Sequence, residues 1–126
     1  MTSERITIAA GALTAFVGVA MGAFGAHALR ATLDPALMEV YRTAVQYHLV
    51  HALALVFTGN FQGVSRSSRT WALAAAVALF TGVVLFSGSL YLLALTGVRA
   101  WGAVTPVGGI AFLSGWLALA VAALRR

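Results

Sequence analysis

One stretch of this chain holds most of the side chains able to do chemistry. Residues 39–57 read EVYRTAVQYHLVHALALVF, an apolar run that carries Glu39, Arg42, Thr43, Gln46, Tyr47, His48 and His51. Such a run belongs in lipid or in a dry core, where a polar side chain is costly unless it pairs or does work. On a helix, Glu39, Thr43, Tyr47 and His51 fall at steps of four and form one ridge, with Gln46 beside it. Lipid would leave that ridge unsatisfied, so it is expected to face the interior of a bundle. His48 points about 100° away from Tyr47 and about 60° away from His51.

These residues suit different chemistries unequally. A metal would need a further donor near His48 and His51, and the carboxylate on this helix, Glu39, lies about 14–18 Å along the axis from them. Haem needs an axial His, which His27, His48 or His51 offers. A His in an apolar helix, however, more often hydrogen-bonds a Ser, Thr or Tyr on a neighbour. No metal and no cofactor is therefore expected. A proton or small-solute path suits intramembrane Glu, Arg and His, but four helices enclose little volume. Catalysis would need a nucleophile, a base and an orienting group. Ser87 and Ser89 have no acidic partner within reach along the sequence, so no catalytic residue is expected.

Composition sets the solvent. Of 126 residues, 61% are hydrophobic and 9% charged, against about 25% charged in soluble chains. The +5 charge comes from eight arginines with no lysine, set against two Glu and one Asp. Each Arg sits between or beside apolar blocks, as membrane anchors do. None belongs to a basic stripe interleaved with aromatics, so no nucleic acid partner is expected. The absence of Cys removes disulfides, thiolate metal sites and Cys nucleophiles together.

Four apolar blocks are expected to span the membrane, at residues 6–26, 37–57, 71–93 and 104–124. A block of 21 residues is about 31 Å long as a helix, which matches a hydrocarbon core of about 30 Å. The fold class is thus all-α, an integral membrane four-helix bundle forming one domain over residues 1–126. The first block, with Arg5 before it and Ala26-His27-Ala28 after it, also has the outline of a cleaved signal peptide, but it is longer than a usual apolar signal core. Four spans place Arg5, Arg66, Arg69, Arg125 and Arg126 on one side and Arg30, Arg42 and Arg99 on the other. That bias puts both termini in the cytoplasm.

Small residues recur where helices must touch. Gly11, Ala15, Gly18, Gly22 and Gly25 form a stripe on the first block, and Ala111, Gly115, Ala118 and Ala122 one on the last. In lipid, close backbone approach along such stripes drives helix association, and the two are expected to pack on each other. Ser87, Gly88, Ser89 and Tyr91 offer hydrogen-bond partners to Tyr47 or His51. Asp34 and Pro35 mark a helix start, Glu39 and Arg42 pair at i, i+3, and His27 is expected to be solvated at the outer interface. Trp116 lies well inside its block, so its indole N–H needs a protein or ligand partner.

Gly22-Ala23-Phe24-Gly25-Ala26-His27, Thr43 with Tyr47, His51-Ala52-Leu53-Ala54-Leu55, Ser87-Gly88-Ser89-Leu90-Tyr91, Thr105-Pro106-Val107-Gly108-Gly109 and Gly115-Trp116 occur in this order. Together they resemble the YgdD-like family of uncharacterised membrane proteins, which also includes eukaryotic transmembrane protein 256. The resemblance covers nearly the whole chain. It implies a small multi-pass protein of the bacterial inner membrane and supplies no catalytic mechanism. Family members often have Gly after the first His and Gln after the Tyr, where this chain has Ala28 and His48. That departure favours His27 and His51 over His48 as carriers of any shared function.

Two readings follow. One is a non-enzymatic accessory or lipid-contacting bundle, whose partners are membrane lipids and, through its many small-residue faces, a second copy or a larger membrane complex. The other is a small transporter or a cofactor- or ligand-binding protein, with a polar site on the first and second helices built from His27, Glu39, Arg42, Thr43, Gln46, Tyr47 and His51, with Ser89 and Trp116 as neighbours.

Overall fold

A computed structural model describes residues 1–126. The chain is all-helical, 86% helix with no strand, and its helices form four rods joined by short turns. The first rod is α1 (Ser3–Phe24), continued by a π-helical turn (Gly25–Leu29). The second is α2 (Pro35–Gly59). The third runs from α3 (Arg66–Gly82) through another π turn (Val83–Ser87) into α4 (Gly88–Thr96), and the fourth is a 3-10 turn (Arg99–Ala103) leading to α5 (Thr105–Leu124). Three rods, Ser3–Leu29, Arg66–Thr96 and Arg99–Leu124, are long and apolar enough to cross a membrane. With 25 residues, α2 is about 37 Å long, but Arg42, Gln46, Tyr47, His48 and His51 lower its apolarity.

Local chemistry starts and stops the rods. Asp34 caps α2 by accepting the Ala36 N–H at 3.2 Å, with Pro35 in the first turn, where its missing N–H costs nothing. Ser65 caps α3 by accepting the Ser68 N–H at 3.0 Å. Gly97, at φ 70°, ends α4 in the left-handed conformation that glycine adopts without penalty.

The four rods pair as two hairpins, α1 with α2 and α3 with α5, and α2 also packs along α3, the second π turn and α4. It is the hub. The glycines of α1 receive its branched side chains: a Cβ on Gly11 would lie 2.6 Å from Val56 Cγ2, and one on Gly18 would lie 2.7 Å from Leu49 Cδ2. The small residues of α5 instead receive the third rod, Gly108 against the Phe86 backbone and Gly115 against Leu79, while Gly82 on α3 admits the Phe112 ring. The expected packing of the α5 stripe on the α1 stripe is therefore replaced by two separate seams. Each glycine face instead gains dispersion contacts with the bulky residues it admits, Val56 and Leu49 of α2 on one seam and Leu79 and Phe86 of the third rod on the other.

The core is small, with Ala54, Leu79, Val83 and Phe112 in one cluster and Met38, Tyr41 and Ala94 in another. Leu13, Phe16, Val77, Ile110, Leu113 and Leu117 point outward and are well exposed. An exterior this apolar suits lipid and not water. At one end of the bundle Glu4 lies beside Gly63, the Ser65 hydroxyl donates to the Arg125 carbonyl at 3.0 Å, and the Arg126 guanidinium sits 5.2 Å over the Phe61 ring. The N-terminus, the loop after α2 and the C-terminus thus share that end with five of the eight arginines.

Candidate functional site

His48 is buried, with both ring nitrogens hydrogen-bonded. It projects from the buried stripe of α2, which runs Tyr41, Ala44, His48, His51, Ala52 and Leu55. Its Nε2 lies 2.8 Å from the Thr14 carbonyl of α1, and its Nδ1 lies 2.8 Å from the Tyr91 hydroxyl of α4. A carbonyl only accepts, so Nε2 carries the proton; with no carboxylate paired to it, a second proton would place an unbalanced charge in the interior, so the ring is neutral and Tyr91 O–H donates to Nδ1. A neutral imidazole thereby ties three rods together. Close by, the Tyr41 hydroxyl donates to the Met21 carbonyl, just before the first π turn, with the Tyr41 ring lying against Gly25. Ser87, in the second π turn, donates to the Ala44 carbonyl at 2.8 Å.

His51 forms a second tie, between α2 and α5. Trp116 Nε1–H donates to His51 Nε2 at 3.0 Å, and His51 Nδ1 lies 2.7 Å from the Tyr47 carbonyl. The indole can only donate and the carbonyl only accept, so His51 is the neutral tautomer protonated at Nδ1. Its ring stacks on Phe112 at 3.6 Å between centroids. Trp116 thus finds the protein partner that its indole requires, although it is 44% exposed. Ser89 donates to the Phe86 carbonyl and shares a hydrogen bond with Thr105 at 2.6 Å, closing α4 on α5.

The polar ridge expected to face inward does not. Glu39 and Arg42 form an ion pair whose side chains are 71% and 56% exposed. Thr43 is half-buried and bonds back to the Glu39 carbonyl, Gln46 is exposed, and His27 is exposed at the end of the first rod. Only His51 of the ridge is buried. The reason is geometric: α2 must meet α1 and the third rod at once, and the stripe doing so is the one with Ala44, His48 and Ala52, where small residues allow both approaches. His48, set aside on sequence grounds, is therefore inward together with His51. Nor do Ser87, Ser89 and Tyr91 bond Tyr47 or His51 side chains; they bond Ala44, Thr105 and His48.

Tyr47 occupies an intermediate place. It is 40% exposed, with ring contacts to Phe86 at 4.5 Å, His51 at 5.8 Å and Phe112 at 6.2 Å. Together with Trp116, Ile110 and Pro106 these residues line an open groove of about 520 Å³ between α2 and α5. The candidate residues are thus divided. His51, Tyr47 and Trp116 come together, Ser89 closes a neighbouring seam, and Glu39, Arg42 and His27 lie toward another end.

The family model described as "Protein of unknown function (DUF423)" matches residues 21–109, which include His48, His51 and Tyr91 and the glycines facing Phe86 and Phe112, while Thr14 and Trp116 lie outside it. The chain belongs to the DUF423 family. Three relatives run nearly the full length. The UPF0382 inner membrane protein YgdD of Escherichia coli (strain K12) is 44% identical over 125 residues, 99% of this chain and 93% of its own. A UPF0382 membrane protein of Staphylococcus epidermidis is 44% identical over 121 residues, 96% of this chain and 97% of its own. The UPF0382 membrane protein YwdK of Bacillus subtilis (strain 168) is 41% identical over 121 residues, 96% of this chain and 98% of its own. The YgdD-like resemblance read from the motifs is borne out, and with it membership of an uncharacterised family of membrane proteins. No solved structure matches the chain.

Proposed function

We propose that the chain is a four-span protein of the bacterial inner membrane, both termini in the cytoplasm, acting as a non-enzymatic, lipid-contacting accessory bundle. One observation carries this reading. Both buried histidines are neutral and fully engaged in hydrogen bonds, His48 to Thr14 and Tyr91 and His51 to Tyr47 and Trp116. Such groups hold helices together in lipid and leave no free base or proton relay in the interior. Among partners, lipids have the better support. The small-residue faces that favoured a second copy or a larger complex are filled within the monomer at Gly11, Gly18, Gly82, Gly108 and Gly115. A substitution at His51 tests the reading: His51→Ala is expected to lower thermal stability in detergent and nothing else, whereas a retained fold with altered ligand binding or pH response contradicts it.

Topology has its own test, because the chain lacks cysteine and single-cysteine variants carry no background. Ala31→Cys is expected to react with a membrane-impermeant thiol reagent in intact cells and Asn60→Cys to react only after lysis. The reverse pattern would invert the orientation, and equal reactivity of both would break the four-span count.

A second reading, a small transporter or binder of a cofactor or other ligand, is favoured by Tyr47. Its hydroxyl bonds to no group of the protein, and it lies at mid-length of α2, about 18 Å from either helix end. Phospholipid carbonyls at the edge of a hydrocarbon core about 30 Å thick do not reach that depth. A ligand with a hydrogen-bonding group carried into the aromatic groove would satisfy it, and it would sit between α2 and α5, not on the first and second helices.

A further inference from the structure

The start of α3 differs chemically from the rest of the surface. Gln62, Gly63, Ser65, Arg66 and Arg69 line an open concavity of about 380 Å³ with no hydrophobic residue in its wall. Ser65 serves the Ser68 N–H through its side chain and the Arg69 N–H through its carbonyl, which leaves the amides of Arg66 and Ser67 without an acceptor. Two free amides at the positive end of a 17-residue helix, beside two guanidiniums outside the single ion pair of the chain, favour an oxyanion.

Two further observations are independent of the helix end. Gln62 is only 5% exposed; its Nε2 donates to Thr7 Oγ1 at 2.9 Å, while its Oε1 has no partner. A buried amide oxygen requires a donor, which a bare anion does not supply. Glu4 supplies the other sign of charge. Its carboxylate makes no ion pair and lies beside Gly63, 3.5 Å from where a Cβ there would sit.

We propose that this concavity binds the headgroup of a phosphatidylethanolamine-type lipid. The phosphate is held by Arg66, Arg69 and the free α3 amides, and the ammonium N–H groups face Glu4 and the Gln62 Oε1, which is enclosed and comes to the headgroup by a small outward turn of the Gln62 side chain. The proposal rests on the lipid-contacting reading above and names the lipid class. Neither of two other common headgroups meets both needs: phosphatidylglycerol has hydroxyl donors but no charge for Glu4, and phosphatidylcholine has the charge but no N–H for Gln62. The site lies at the arginine-rich end of the bundle, where headgroups gather.

The test is native mass spectrometry of the full chain in detergent with equimolar phosphatidylethanolamine, phosphatidylglycerol and phosphatidylcholine of matched acyl chains. The ethanolamine lipid is expected to be retained roughly fivefold over either competitor. R66Q/R69Q is expected to lose roughly twentyfold in retention, and Glu4→Gln to erase the preference for ethanolamine over glycerol while total lipid persists. Both arginines are exposed, so unchanged helicity will show that the fold is intact. Equal retention of all three lipids, or an R66Q/R69Q variant that keeps the ethanolamine lipid, overturns the proposal and leaves the lipid-contacting bundle standing. Displacement of the lipid by inorganic phosphate assigns the site to a soluble phosphate and overturns the lipid source. A defined non-lipid mass in place of lipid overturns both readings.

Discussion

Replacing Gly108 with alanine is expected to destabilise the bundle by about 2 kcal/mol, as a steric cost of about 3 offset by about 1 from the better helix former. A Cβ at this position would meet the Phe86 backbone nitrogen and lie 2.7 Å from the Phe86 Cα. Backbone cannot rotate aside as a side chain can, so α5 must back away from the second π turn. That movement also draws Thr105 from Ser89 and Trp116 from His51, and a tryptophan fluorescence change should accompany the lower melting temperature. Gly88 is the control. It lies two residues beyond Phe86 in the same rod, with φ −59° and ψ −45° and nothing within 4 Å of a Cβ. Gly88→Ala is expected to be neutral or stabilising by up to about 1 kcal/mol. Equal losses at the two positions would mean that close approach to Phe86 is not what requires Gly108.

The second large effect is expected at His48. His48→Phe keeps a flat ring but removes both hydrogen bonds, leaving the Tyr91 hydroxyl without an acceptor in a dry interior. A loss of about 2 kcal/mol is expected on unfolding in detergent. Tyr91→Phe alone should cost about 1 kcal/mol, because His48 Nδ1 then lacks its donor. The double variant should cost less than the sum by about 1 kcal/mol, because neither orphaned group remains. Strict additivity would show that the two side chains do not act on each other.

These two positions also mark how far the sequence could be read. The rods, the Asp34 cap, the Glu39–Arg42 pair and the role of the glycines as approach points follow from local rules: hydropathy over about 20 residues, capping and i, i+3 spacing. Which stripe of α2 turns inward does not follow locally, because a helix polar at both His48 and His51 presents two candidate faces. The usable signal was the small residues Ala44 and Ala52, each four positions from His48. Only the stripe bearing them lets α1 and the third rod approach together. The partners of each hydroxyl were hidden for a related reason. Tyr91 and Ser87 sit on either side of Gly88, and the π turn ending at Ser87 rotates the residues after it relative to a regular helix. Gln62 with Thr7, and Glu4 with Gly63, come from segments far apart in sequence and meet only because the N-terminus lies against the loop after α2.

The most direct test of the central claim is the native mass of gently solubilised protein, recorded with its visible absorption spectrum. If the interior polar groups are ties between helices, the mass will be that of the chain with exchangeable lipid alone, and the spectrum will be empty above the aromatic band. A defined non-lipid mass that persists through purification, or a visible absorption band, would contradict the claim and make His51, Tyr47 and Trp116 the walls of a cofactor site.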